Sequence, residues 1–169
     1  LAFAMVGKMR GGPAKAAILG SGMTGLISGS SIANTVTTGT FTIPIMKKTG
    51  FSKEKAGAIE VSSSVNGQLM PPVMGAAAFV MASFLGVTYY EVVKHAFLPA
   101  IISYVALFYI SHLEALKLNL KGMDDSDVPN LKKTFLSGLH FLIPIFVLVY
   151  MLVYLRFTAS YSIFFATIA

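Results

Sequence analysis

The chain has 169 residues, 55% of them hydrophobic and only 12% charged, and a mean hydropathy of +0.73; a soluble domain carries about 25% charged residues, so a soluble fold is excluded. The net charge of +6 does not indicate nucleic acid, because the basic residues lie between apolar runs instead of along one exposed face. With no cysteine, disulfide frameworks and thiolate metal sites are excluded as well.

The charges are confined to short stretches. Residues 16–46, 61–90, 96–113, 134–155 and 157–169 contain no Asp, Glu, Lys or Arg. Uncharged apolar runs of about 18 residues or more mark bilayer-spanning helices. The expected fold is therefore an all-α, polytopic membrane bundle. Residues 1–10 close a preceding segment, and residues 11–90 form one unit. A first apolar segment covers residues 13–46 and is interrupted at Ser28-Gly29-Ser30-Ser31. Lys8, Arg10 and Lys15 precede or open it, and Lys47, Lys48, Lys53 and Lys55 follow it. Basic ends prefer the cytoplasm, so both ends belong on one side and the segment must turn back. The expectation is a re-entrant hairpin over residues 13–48, with irregular backbone shielded by protein or a water-filled cavity.

The second segment, residues 53–86, is expected to be a broken transmembrane helix. It is interrupted over residues 67–72, at Gly67-Gln68-Leu69-Met70-Pro71-Pro72. Two prolines remove two backbone donors and push the preceding residue out of helical geometry. Counted from Lys55 at a rise of about 1.5 Å per residue, Leu69 lies about 21 Å along the helix, inside a hydrocarbon core of about 30 Å. A third segment, residues 91–118, returns to the polar loop at 119–133, which carries Lys121, Asp124, Asp125, Asp127, Lys132 and Lys133. Residues 134–169 hold further transmembrane helices, the fourth over 135–155 and the fifth from Tyr161. A start at Leu1 and an end inside an apolar run lead us to expect a fragment of a longer chain.

Two breaks at mid-membrane depth, each rich in small polar residues, carry the chemistry. Carbonyls freed from helical bonding, with Ser, Thr and Asn oxygens, suit a small hard cation; half-helix N-termini suit a carboxylate. Close helix packing through small residues is the competing explanation for Gly and Ser in a bundle. Glu60 is either a proton relay or, the favoured expectation, one partner of an interfacial ion pair with Lys55 or a neighbour. His95 and His112 are expected at interfaces, His140 is deeper without a metal partner, and Met70, Met74 and Met81 are expected to pack. No Ser-His-Asp set, metal cluster or phosphate-binding glycine loop is present, so no enzymatic role is expected. A channel would need a continuous polar lining, whereas polarity is concentrated at the two breaks.

The runs SGSSIANTVTTGTFTIPIMKKTGF and AGAIEVSSSVNGQLMPPVMGAAAFVMA resemble the large membrane subunit of tripartite ATP-independent periplasmic (TRAP) transporters. The run YYEVVKHAFLPAIISYVALFYISHLEALKLNLKGM is similar to the branch in which small and large membrane subunits are fused and served by a TAXI-type binding protein. The resemblance implies an elevator-type fold of inverted repeats in a bacterial or archaeal inner membrane. It implies sodium-driven uptake of an organic acid, a carboxylate, delivered by a periplasmic binding protein, with sodium as coupling ion and no other cofactor. Matched motif to motif, it places a sodium site at Ser30, Ser31 and Asn34 of the hairpin tip. Backbone carbonyls of Gly67, Met70 and Pro72 would complete that site. The adjoining substrate cleft would involve Ser30, Asn34, Thr35 and Gln68.

Overall fold

The computed structural model describes residues 1–124, 127–139 and 142–168; Asp125 and His140 lie outside the described residues. Every regular element among the described residues is helical, in accord with the all-α expectation. A short α1 (Ala2–Val6) leads into α2 (Gly12–Ser28), whose start is set by Gly11 in the left-handed region and a proline in its first turn, where the missing amide costs nothing. At the other end Gly29, at φ 57°, closes α2 in the left-handed conformation that glycine adopts without strain. Ser30 is extended, and its hydroxyl accepts the Ala33 amide at 3.3 Å, capping α3 (Ser31–Lys48). Two residues thus end one helix and begin the next, and α2 and α3 pack along each other as an αα-hairpin.

The second segment is broken as its prolines dictate. The Ser52 hydroxyl accepts the Lys55 amide at 3.3 Å and opens α4 (Lys53–Gly67). Residues 68–75 follow without regular helix, and α5 (Ala76–Leu85) resumes beyond them. The Pro71–Pro72 bond is cis, and the Gly75 amide closes the irregular stretch on the Gln68 carbonyl at 2.9 Å.

Helices α2, α3 and α4 form the centre of the molecule. Ala14, Ala17 and Ile18 of α2, Met46 of α3, and Ala56 and Ile59 of α4 bury one another with Phe51 and Ala115. Side chains this small let helix axes approach closely, the usual basis of association where lipid removes the hydrophobic drive. The limit is reached at Gly25 of α2, where a Cβ would stand 2.6 Å from the Cα of Gly67.

Helix α6 (Tyr89–Lys117) has 29 residues, about 43 Å at the standard rise. Thr88 caps its N-terminus, Glu91 lies in its first turn and Lys117 in its last, so both ends complement the helix dipole. Among the described residues it is the one unbroken helix long and apolar enough to cross a membrane. Its apolar side chains are largely outside: Leu98 is 65% and Ile102 59% exposed. A core helix of a soluble protein would bury them; an exposed apolar face of this length fits lipid.

The fourth expected span, residues 135–155, includes two separate helices among the described residues: α7 (Leu131–Ser137) and the helix from Leu142 to Leu152 are inclined by 67° and count as a second span only if taken together. Gly138 caps α7, its amide reaching back to Thr134 and Phe135 carbonyls, and Pro144 stands in the first turn of α8 (Leu142–Val149), where no amide is needed. A π-helical turn (Tyr150–Tyr154) follows α8, and α9 (Ala159–Ile168) ends the described chain.

Candidate functional site

The hairpin tip and the helix break meet. A Cβ on Gly29 would stand 2.1 Å from the Met74 carbonyl oxygen, and one on Gly75 would stand 3.3 Å from the Gly29 carbonyl oxygen. This contact brings together the N-terminus of α3 at Ser30 and that of α5 at Gly75. The C-terminus of α4 at Gly67 lies one turn deeper, under Asn34. A Cβ on Gly67 would be only 3.0 Å from the Asn34 amide nitrogen.

Asn34 is 1% exposed. Its Nδ2 donates to the Ser21 carbonyl at 3.0 Å. That bond fixes the amide orientation, because exchanging nitrogen and oxygen would set two acceptors against each other. Oδ1 is then left over, and among the described residues it is the one buried side-chain polar atom without a hydrogen-bond partner. Buried polar atoms are almost always paired, and an orphan calls for an explanation. A hard amide oxygen, fixed and desolvated, has the chemistry to accept a small cation or a hydrogen-bond donor.

The other expected site residues are distributed around this point. Ser30 caps α3 with its hydroxyl and is half-buried. Ser31 and Thr35 are half-buried in the first turns of α3. The Gly67 carbonyl accepts the Met70 amide at 3.2 Å, and the Pro72 carbonyl accepts the Tyr89 hydroxyl at 3.1 Å. Each of these two carbonyls retains a second lone pair. The Gln68 side chain lies near Gly75, within 3.6 Å of a Cβ placed there. The structure therefore joins Asn34 with Gly67 directly, while Met70 and Pro72 sit in the break.

Glu60 is the clearest correction. It is wholly buried and makes no ion pair with Lys55, which instead pairs with Glu114 of α6. The reason is helical phase. Lys55 and Glu60 are five residues apart, about 140° around a helix of 3.6 residues per turn, so Lys55 faces α6 while Glu60 faces the hairpin. There it accepts hydroxyls from Ser21 at 3.2 Å, Ser64 at 3.4 Å, Thr42 at 2.5 Å and Thr38. Sequence reading missed Ser21, Thr38 and Thr42. The available signal was spacing: Asn34, Thr38 and Thr42 recur every four residues, as do Glu60 and Ser64, and each set makes one stripe on its helix. Elsewhere, His112 accepts the Lys15 ammonium at 3.0 Å. Met74 packs with Ala78, Val93 and Leu152, whereas Met81 is exposed.

A family model described as "Tripartite ATP-independent periplasmic transporter, DctM component" matches residues 1–169. Among curated proteins, the C4-dicarboxylate TRAP transporter large permease protein DctM of Vibrio cholerae is 42% identical over 71 residues, 42% of this chain and 16% of that protein. A putative TRAP transporter large permease protein of Haemophilus influenzae is 27% identical over 116 residues, 69% of this chain and 27% of its own length. The protein YgiK of Salmonella typhimurium, named as uncharacterized, is 28% identical over 149 residues, 88% of this chain and 34% of its own. The chain spans about a third or less of the length of the curated relatives it matches.

Proposed function

We propose that this chain, which belongs to the DctM family of tripartite ATP-independent periplasmic transporters, is one repeat of the membrane permease of a sodium-driven organic-acid importer. It is a transporter component of a membrane protein, not an enzyme. The αα-hairpin of α2 and α3 is read as re-entrant, and α4 with α5 as the broken transmembrane helix facing it. Together they form the moving, elevator-type half of the transport domain, seated in a bacterial or archaeal inner membrane. A second such repeat elsewhere in the polypeptide completes the pocket.

The observation that carries this reading is the unpaired, buried Oδ1 of Asn34 at the junction of hairpin and break. Sodium takes that oxygen, with Ser30 and Ser31 oxygens and carbonyls of Gly67, Met70 and Pro72 as further ligands. The carboxylate of the substrate is drawn to the two N-termini that meet at Ser30 and Gly75, where unpaired amides and the helix dipoles favour an anion. Thr35 and Gln68 border that cleft. Binding of cation and anion at adjacent helix ends makes each favour the other, which is the coupling a symporter needs. The acid arrives on a periplasmic binding protein; similarity of residues 89–123 to the fused branch supports a TAXI-type partner and a small subunit within the same polypeptide.

The test is uptake by the intact transporter in proteoliposomes. Its binding protein is supplied loaded with a radiolabelled organic acid, with and without an inward sodium gradient. Uptake requiring both supports the reading. Uptake indifferent to sodium and abolished by a protonophore overturns the sodium site and leaves an ion-coupled transporter of another kind.

A further inference from the structure

Glu60 lies wholly inside the protein, and all of its described hydrogen-bond partners are hydroxyls drawn from three helices: Ser21, Thr38, Thr42 and Ser64. Each of the four hydroxyls is placed to donate to this carboxyl, with the main-chain carbonyls of Asn34 and Thr38 also within reach of the Thr38 and Thr42 hydroxyls. Among the described residues, none of the hydrogen bonds that reach the Glu60 carboxyl comes from a cation. On α2, the Lys15 ammonium is turned to His112 of α6. On α3, Lys47 and Lys48 stand exposed in the last turn. On α4, Lys53 and Glu54 are exposed at the start, and Lys55 is held by Glu114 of α6. The Tyr104 hydroxyl of α6 goes to the Ser63 carbonyl. A buried charge left without a partner of opposite sign is strongly disfavoured, and the cation site proposed at Asn34 is a place from which such a partner can come.

Asn34 is two contacts away by two routes. Ser21 donates its hydroxyl to Glu60 at 3.2 Å, and its carbonyl receives the Asn34 amide at 3.0 Å. The Thr38 hydroxyl is within donating reach of both the Glu60 carboxyl and the main-chain carbonyl of Asn34, the latter at 2.7 Å. The side chain of Asn34 and the carboxyl of Glu60 are therefore two ends of one polar seam through the packed core of α2, α3 and α4. We infer that Glu60 is the counter-charge of the cation bound at Asn34. It is a positioning residue that touches no ligand, orients Ser21 and Thr38, and supplies the negative charge that the neutral ligands lack. The inference rests on the cation site proposed above.

The experiment uses the intact transporter, purified in detergent, and reads the sodium concentration giving half-maximal thermal stabilisation, with choline at matched ionic strength as control. Wild type is compared with Glu60→Gln, which keeps the shape and loses the charge, and with Glu60→Asp, which keeps the charge on a shorter arm. Glu60→Gln is expected to raise the sodium midpoint by about tenfold or more, and Glu60→Asp by no more than about threefold, because charge acts at a distance across a weakly screening interior. An unchanged midpoint in Glu60→Gln, or equal impairment in both variants, overturns the inference, since hydrogen bonding alone would then explain the residue. If Glu60→Gln yields no folded protein, Glu60→Asp decides: a midpoint within threefold supports the counter-charge, and a tenfold loss in folded protein overturns it. A wild type that sodium does not stabilise removes the cation site itself, and this inference with it. A wild type that responds beside an unaffected Glu60→Gln removes only the role of Glu60.

Discussion

The side chain of Asn34 is held to the carbonyl of Ser21 by a 3.0 Å hydrogen bond from Nδ2, which leaves Oδ1 buried and unpaired. This bond crosses from α3 to α2 just beneath the hairpin turn. It makes the position of the free oxygen a property of the hairpin itself. Replacing Asn34 with Leu removes both the bond and the oxygen. Sodium-dependent uptake should fall to background while the protein still inserts in the membrane. Uptake and membrane fractionation measured on the same samples check this, and undiminished uptake would remove Asn34 from the site.

Gly25 and Gly67 set how closely α2 and α4 approach. A methyl group at Gly25 would lie 2.6 Å from the Gly67 Cα and 2.8 Å from its carbonyl oxygen, both backbone atoms that cannot rotate away. Gly25→Ala should therefore destabilise the packed hairpin by about 1–3 kcal/mol, the usual cost of overpacking. A lower thermal midpoint in detergent, with sodium stabilisation also weakened because Gly67 shifts under Asn34, is the expected result. Gly20→Ala, a substitution in the same helix with open space around it, should leave both unchanged.

Pro71 and Pro72 sit in the interruption between α4 and α5, and the Tyr89 hydroxyl binds the carbonyls of Pro72 and Val73. Changing both prolines to Ala restores two amide donors and lets helix propagate across the gap. The N-terminus of α5 would then no longer end opposite Gly29. Transport should stop while expression persists, and uptake in proteoliposomes measures it. Surviving activity would show that ion binding does not need the break.

The pair of Lys55 and Glu114 ties α4 to α6 at a partly exposed position, with side chains 41% and 26% accessible. Exposed pairs contribute little and are screened by salt. Glu114→Gln should lower the thermal midpoint only slightly at low ionic strength and not at all at about 1 M salt. Sodium affinity should not change, since this pair lies on the face of α4 turned from the hairpin.

Much of the architecture was legible because it follows from local chemistry. Gly29 and Ser30 end one helix and cap the next whatever surrounds them, Pro71 and Pro72 forbid a continuous helix, and the uncharged run ending at Leu113 forms the long α6. In the fourth segment hydropathy counts apolar residues but does not read the 67° inclination between α7 and the helix from Leu142 to Leu152.

What the amino-acid sequence determined by itself is where helices start, stop and break, since caps, prolines and left-handed glycines act within a few residues. Only the tertiary structure decided which polar groups meet. Nothing in the spacing of Lys55 and Glu60 says that one finds Glu114 and the other four hydroxyls. Nor does the motif around Asn34 reveal that its amide is spent on Ser21, so that its oxygen stays free. Those outcomes depend on the rotation of three helices about one another and, between α2 and α4, on the close backbone approach that Gly25 and Gly67 allow.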